Sequence, residues 1–458
     1  MQRQGHVKLH KKLAILLALT LAISLIIAGC SGGGSGGGDN NNASDGTEEN
    51  TSDGSTSKSS GNKVTVDFWV NWGGTFKDDY QKQVIDEFEK THPNIKVNMT
   101  FVEGTDKLLT SIAGGNPPDV AILDRFMVGQ WAAKGALESL TPYWATDNIS
   151  PDDYYPGVYA EAVYNGEVYA MPWGTDDRAM YYNKTMMKEA GLDPEKPPTT
   201  IQELDQMAER MFKKSNDGKY EQVGFIPWYN QGFFYTQAWN WGGNWEKDGE
   251  LTPNDPQNVK ALEWMVSYAK KYDMSLLAQF GDMMGQTGMN AFWTGKVGFI
   301  FDGNWILNDL KNIEPTFEWG VAPMPSAEGY PHATWSGGHS FIMPKGAKHP
   351  KEAWELLKYI GGYEGTLLWA KRENAGNDIT AMPKVNEELK LNENPNLKVF
   401  LDLMPIAKFR PVTPVGQFLW DETFRVTDLA LNGKGEPKKL LDEVKNNVDN
   451  ELAKVMSQ

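Results

Sequence analysis

Val64-Thr-Val-Asp-Phe-Trp-Val70 runs into Asn71-Trp72-Gly73-Gly74. The first seven residues are rich in β-branched and aromatic side chains and read as a strand, which the paired glycines break. From Phe76 to Lys90, Tyr80, Val84, Ile85 and Phe88 recur at helical spacing, and Pro93-Asn94 ends that helix. Ile95 to Val102 reads as a second strand and Lys107 to Ala113 as a short helix closed by Gly114-Gly115-Asn116-Pro117-Pro118. Val120-Ala-Ile-Leu123 is a short, fully apolar third strand. Strand–helix–strand–helix–strand implies a parallel sheet with right-handed crossovers and hence an α/β fold. Ligands of such sheets sit beyond the carboxyl ends of the strands, here Asn71-Trp72-Gly73 and Asp124-Arg125.

A second α/β set follows. Strands are expected at Glu167–Met171, Ala179–Tyr182, Val223–Ile226 and Lys296–Phe301. Helices are expected at Thr200–Lys213, Val259–Tyr272, 350–361 and 436–456, with Thr199 or Thr200 capping the first of them. No internal repeat is visible.

The residues before the first strand read differently. Met1 to Lys12 carries Arg3, Lys8, Lys11 and Lys12 and no acid, and the next 17 residues, to Gly29, carry no charge. A basic n-region and an apolar h-region make residues 1–29 an export signal, though such a run is also at the lower limit for a retained span. Ile27-Ala28-Gly29-Cys30 resembles a bacterial lipobox, whose cysteine is acylated and becomes the new N-terminus. Two or more acyl chains there anchor a protein stably. Ala43 is the only hydrophobic residue between Ser31 and Asn62, so residues 30–62 are expected to be a lipid-anchored flexible linker reaching about 30 Å.

The chain has 458 residues and a formal net charge of −16. Loss of the four signal cations takes it to −20, and the linker's five acids and one lysine leave −16 on the body. That balance argues against a nucleic-acid partner, which needs a basic stripe. A single cysteine excludes an internal disulfide and a thiolate metal cluster. GxxxxGK[ST] and HExxH motifs are missing, no GxSxG stands at a strand–helix junction, and no cofactor or metal is implied. Asp176-Asp177 does not read as a glycosidase pair, because neighbours on a strand face opposite ways.

The aromatic residues carry the chemistry. Trp228, Tyr229, Phe233, Phe234, Tyr235, Trp239, Trp241 and Trp245 crowd one stretch, interleaved with Asn230, Gln231, Gln237, Asn240 and Asn244. Glycines 232, 242 and 243 break any regular period. Indole faces beside amides suit a sugar, whose C–H faces stack and whose hydroxyls hydrogen-bond. A satellite core beneath a long loop is the alternative reading of the same pattern. Trp72, Trp173, Trp305 and Trp335 lie at expected strand ends, beside Asp124, Arg125, Asp176, Arg178, Asp302 and His339. A carboxylate can accept two hydrogen bonds from vicinal hydroxyls; a cap or an ion pair is the plainer role for such a group.

From residue 63 onward, several motifs in order resemble an extracellular solute-binding protein of the sugar-transport ABC type, in the family of maltose-binding protein. They are Val64–Gly74 with Phe88-Glu89-Lys90, Pro117-Pro118-Asp119-Val120 through Asp124-Arg125-Phe126, Tyr169-Ala-Met-Pro172 with Tyr182-Asn183-Lys184, Gly295-Lys-Val-Gly298 with Gly303-Asn-Trp305, Ala322-Pro-Met-Pro325 with Gly337-Gly338, and Pro414–Leu431. The resemblance implies a two-lobed periplasmic-binding-protein fold of type II, with the ligand cleft between the lobes near hinge crossings. Residues 63–172 plus 301–337 are expected to form the N-terminal lobe, and 173–300 plus 338–458 the C-terminal lobe. It implies ligand contacts at Trp72, Asp124, Arg125, Trp173, Asp176, Arg178, Trp228, Trp239, Trp241, Asp302, Trp305, Trp335 and Trp420, and at Arg372 in a loop before Met382-Pro383. It implies a non-enzymatic monomer outside the cell membrane, held by lipid on Cys30, which closes on an oligosaccharide and delivers it to ABC permease subunits. Three readings compete with it: the same fold binding a polyamine or other small solute, an anchored glycoside hydrolase or lyase, and a module serving a sensor.

Overall fold

A computed structural model describes residues 63–72, 75–285, 290–372, 375 and 378–457, with backbone alone at 283–285, 309, 311 and 312. The export signal, Cys30 and the linker lie outside the described residues, as do Gly73, Gly74, Glu373, Asn374 and Asn377.

Two sheets organise the body. The first contains β1 (Val64–Val70), β2 (Ile95–Phe101), β3 (Val120–Asp124) and β4 (Ala170–Asp176). The second contains β5 (Arg178–Asn183), β6 (Phe299–Gly303) and β7 (Trp319–Ala322). β8 (Gly337–Ile342) returns to the first sheet, whose order is β2-β1-β3-β8-β4. β1 pairs in parallel with β2 and β3, whereas β8 runs antiparallel to β3 and β4. The sheet is therefore mixed, and the all-parallel expectation holds only for its first three strands. In the second sheet β6 and β7 flank β5, both antiparallel to it. Val223–Ile226 contributes a single parallel bridge, Val223 to Val297, in place of the expected strand.

These pairings move the lobe boundaries. The chain leaves the first sheet at Asp176–Arg178, four residues beyond the expected 172/173 boundary. Residues 301–334 do not return to the first lobe, because β6 and β7 both bond to β5 of the second sheet. Gly303-Asn304-Trp305 is accordingly a turn within the second lobe, and the return crossing is Thr334–Gly337. Residues 338–342, expected in the C-terminal lobe, sit centrally in the first sheet. Lys408 lies beside this crossing: its N–H donates to the Thr334 carbonyl at 2.7 Å and its carbonyl accepts from the Ser336 N–H at 2.8 Å.

Alternation along the strands builds two cores. Val66, Phe68, Ile122, Met171 and Phe341 join the large cluster, while Ala121, Leu123, Ala170 and Ile342 face a smaller one around Trp131. The helix after β1 is continuous through 76–91 but passes through a π segment at Gln81–Ile85. α1 (Ile201–Arg210) begins with a complete Thr200–Glu203 capping box. α2 (Phe234–Asn240) and α3 (Pro256–Lys271) pack together; α4 (Ile306–Ile313) follows Trp305. α5 (Pro350–Gly361) and α6 (Tyr363–Ala370) belong with the first sheet, while α7 (Gly416–Leu431) packs on α3 and α8 (Pro437–Met456). Among the described residues no helix is long and apolar enough to cross a membrane.

Candidate functional site

A cavity of about 490 Å³ opens where the two sheets meet. The first sheet supplies Trp72 after β1, Trp173 to Asp176 from β4, and Gly338 and His339 from β8. α6 adds Thr366, Trp369 and Ala370; Arg372 and Asp378 to Thr380 continue this wall. Asn304 and Trp305, at the end of β6, face it from the second lobe.

Local backbone geometry positions these groups. Gly338 has φ +134°, and a Cβ there would stand 2.2 Å from the Gly174 carbonyl oxygen, so only glycine lets β8 approach β4 this closely. The register between β8 and β4 shifts just after His339, leaving its ring edge-on to Trp72 at 4.2 Å. Trp173 lies 5.5 Å from Trp72, and Trp369 lies 5.2 Å from Phe76. The result is a wall of aromatic rings interrupted by a few polar groups.

The charged groups of the lining come in pairs. Asp176 accepts from Arg178 and, at 3.0 Å, from the Gly337 N–H. Burial pushes the Asp176 carboxyl up, but Arg178, Arg125 and the Gly337 amide outweigh it and hold it below its ordinary value. Arg372 lies over the Trp369 ring at 3.9 Å, donates to the Trp369 carbonyl at 3.0 Å and pairs with Asp378. Asp378 also accepts from Asn308 of α4 at 2.9 Å, tying the loop to the opposite lobe. Burial lowers the His339 imidazole below its usual value, against the pull of Asp124 and Asp176 and with the help of Arg125 and Arg410. A neutral imidazole offers one donor and one acceptor.

The cavity lining thus includes five of the residues expected to contact ligand: Trp72, Trp173, Asp176, Trp305 and Arg372. The other nine lie outside it. Asp124 accepts from Arg410 at 3.0 Å and stands one layer behind, cross-strand from His339. Arg125 is 1% exposed, bonded to Glu161 and Ser336 at 3.0 Å. Arg178 lies under Asp176, its guanidinium 3.8 Å from the Trp335 ring. Asp302 is buried and accepts from Asn230 and, at 2.8 Å, from the Gly303 N–H. Trp335 is buried against Arg178, Phe233 and Trp420. Trp239 is buried in α2 beside Tyr235, and Trp241 packs near Trp264. Trp228 and Trp420 line a separate groove of about 220 Å³ with Phe424. The sequence reading missed Phe76, Thr366, Trp369 and Asp378. The signal for Trp369 was its position three residues before Arg372, where a helix hands over to a polar loop.

Flat rings, hydroxyls of Thr175, Thr366 and Thr380, and fixed polar groups make a surface that can stack on and hydrogen-bond a small solute. Among the described residues no cluster of His, Cys, Asp or Glu is placed to hold a metal ion.

Known proteins place this geometry in context. The chain is 28% identical over 399 residues to a putative binding protein of Brucella abortus, covering 82% of this chain and 90% of that one. It is 23% identical over 392 residues to a maltooligosaccharide ABC transporter solute-binding lipoprotein of Streptococcus pneumoniae, covering 79% and 84%. The solved structure of CpMnBP1 with mannotriose bound superposes with a TM-score of 0.72 at 28% identity, covering 84% of this chain and 99% of that one. Residues 73–366 match the family model of bacterial extracellular solute-binding proteins, and the chain, with its two-lobed α/β architecture, belongs to that family.

Proposed function

We propose that the protein captures an oligosaccharide in the cavity between its two lobes and delivers it to an ABC permease, working from the outer face of the membrane through lipid on Cys30. The observation that carries this reading is the aromatic wall of Trp72, Trp173 and Trp369 opposite Trp305, interrupted by hydrogen-bonding groups. Stacked rings recognise the C–H faces of a sugar, and buried polar groups reward correctly placed hydroxyls. A ligand touching both walls favours the closed arrangement in proportion to its differential affinity for it. The relatives support the same reading: one is named for maltooligosaccharide transport, and another is solved with mannotriose bound. Binding without turnover fits the lining, since among the described residues both of its acids are ion-paired to arginines, while glycoside cleavage needs a carboxyl that retains its proton.

Calorimetry with maltotriose and mannotriose tests this. Saturable binding with the sugar recovered intact is the expected result. No binding to any oligosaccharide, or hydrolysis of one, overturns the reading.

A further inference from the structure

Among the described residues, four titratable side chains line the cavity: Asp176, His339, Arg372 and Asp378. Asp176 is neutralised by Arg178 from beneath, and Arg372 by Asp378 from beside it. One layer back, Asp124 is neutralised by Arg410 at 3.0 Å. Burial lowers the His339 imidazole below its usual value, with Asp124 and Asp176 pulling against it and Arg125 and Arg410 adding to it. Among the described residues, then, the lining carries no charge without an opposite charge already against it.

We infer that the cleft selects an uncharged sugar and that Asp378 is the specificity-determining residue, because it occupies the one guanidinium in the lining that could otherwise pair with a carboxylate. This rests on the carbohydrate reading given above and narrows it to neutral oligosaccharides, against uronates and amino sugars.

A uronate carboxylate is ionised at pH 7. Entering the cleft, it would lose its hydration without gaining a free counter-charge. Arg372 is the group with the right chemistry to receive it, since a guanidinium presents a planar fork to a carboxylate. One arm of that fork is held by Asp378 and the other by the Trp369 carbonyl, with the Trp369 ring beneath the guanidinium. A protonated amine fares no better, because the carboxylates of Asp176 and Asp378 are both engaged by arginines. An uncharged ring meets neither penalty.

Asp378→Asn keeps the side-chain oxygen that accepts from Asn308 and removes the charge that holds Arg372. The test is calorimetry of the intact protein with maltotriose, mannotriose, trigalacturonate, trimannuronate and a glucosamine trimer. In the unaltered protein a neutral trimer is expected to bind at least about ten-fold tighter than any charged one. In Asp378→Asn the uronate-to-neutral affinity ratio should rise about ten-fold or more, and the gain should shrink as salt is raised. Adding Arg372→Gln to that variant should abolish the gain. A charged trimer binding tightest to the unaltered protein overturns the inference and leaves the carbohydrate reading standing. So does a folded Asp378→Asn protein whose ratio does not move. Failure of all five sugars to bind overturns both.

Discussion

Two aromatic populations sit within one body and do different work. Trp72, Trp173, Trp369 and Trp305 turn faces or edges toward an open cavity. Tyr235, Trp239 and Trp245 are as aromatic and are interleaved with amides, yet they are buried around Tyr235, with Tyr235 and Trp245 stacked at 3.9 Å. The amides explain the difference. Gln237 gives its side-chain N–H to the Pro227 carbonyl at 2.7 Å, and Asn258 donates to the carbonyls of Asn244 and Thr252. In the second population the polar groups satisfy the backbone of an irregular segment and are sealed in; in the first, groups such as Asp176 and Arg372 are paired yet still line the open cavity.

The largest expected effect breaks this contrast from the buried side. Trp239→Ala should cost about 3–5 kcal/mol of folding stability in urea unfolding, while the protein that remains folded binds sugar within about three-fold of normal. A large affinity loss without destabilisation would place Trp239 among the ligand contacts after all. Trp369→Ala should do the reverse, weakening oligosaccharide binding about ten-fold, near 1.4 kcal/mol, with a smaller stability loss. Calorimetry and melting curves on the same sample separate the two outcomes.

His339 sharpens the comparison through pH. Its folded pKa is depressed, so the unfolded chain takes up the proton first as pH falls below the ordinary value near 6.5. The stability contribution is present above that value and is lost as pH falls through the folded pKa, with a slope of at most about 1.4 kcal/mol per pH unit. His339→Asn should flatten that part of a melting-temperature profile. The smallest effect is expected at Phe424→Ser. Phe424 is 45% exposed on the groove that Trp228 and Trp420 line, and its loss should change stability by about 0.5 kcal/mol or less and leave sugar affinity unchanged. A ten-fold weakening would show that this groove belongs to the ligand path.

Much of the fold was legible because its signals are local. The strand at Val64–Val70, the cap at Thr200 and the long C-terminal helix each rest on a few neighbouring residues. Strand order was not. Nothing within Gly337–Ile342 states that it inserts between Val120–Asp124 and Ala170–Asp176, so the lobe boundaries near 301 and 337 came out reversed. The site divided in the same way. Trp72 and Asp176 stand at strand ends, where topology exposes side chains to the cleft. Arg125 has the same kind of placement, but Glu161, 36 residues away, draws its guanidinium inward. A partner so distant leaves no trace in local spacing.

The paired strands at the return crossing have a mechanical consequence. Lys408 is laced to Thr334 and Ser336, and the Thr334 hydroxyl bonds both the N–H and the carbonyl of Arg178 at 2.9 and 2.7 Å. Such a ribbon flexes easily out of its plane and resists stretching and sideways slip. If the two lobes close on a solute as proposed, this ribbon would act as a strap hinge that confines them to a single swing, and a longer solute would then alter how far the swing travels rather than its direction.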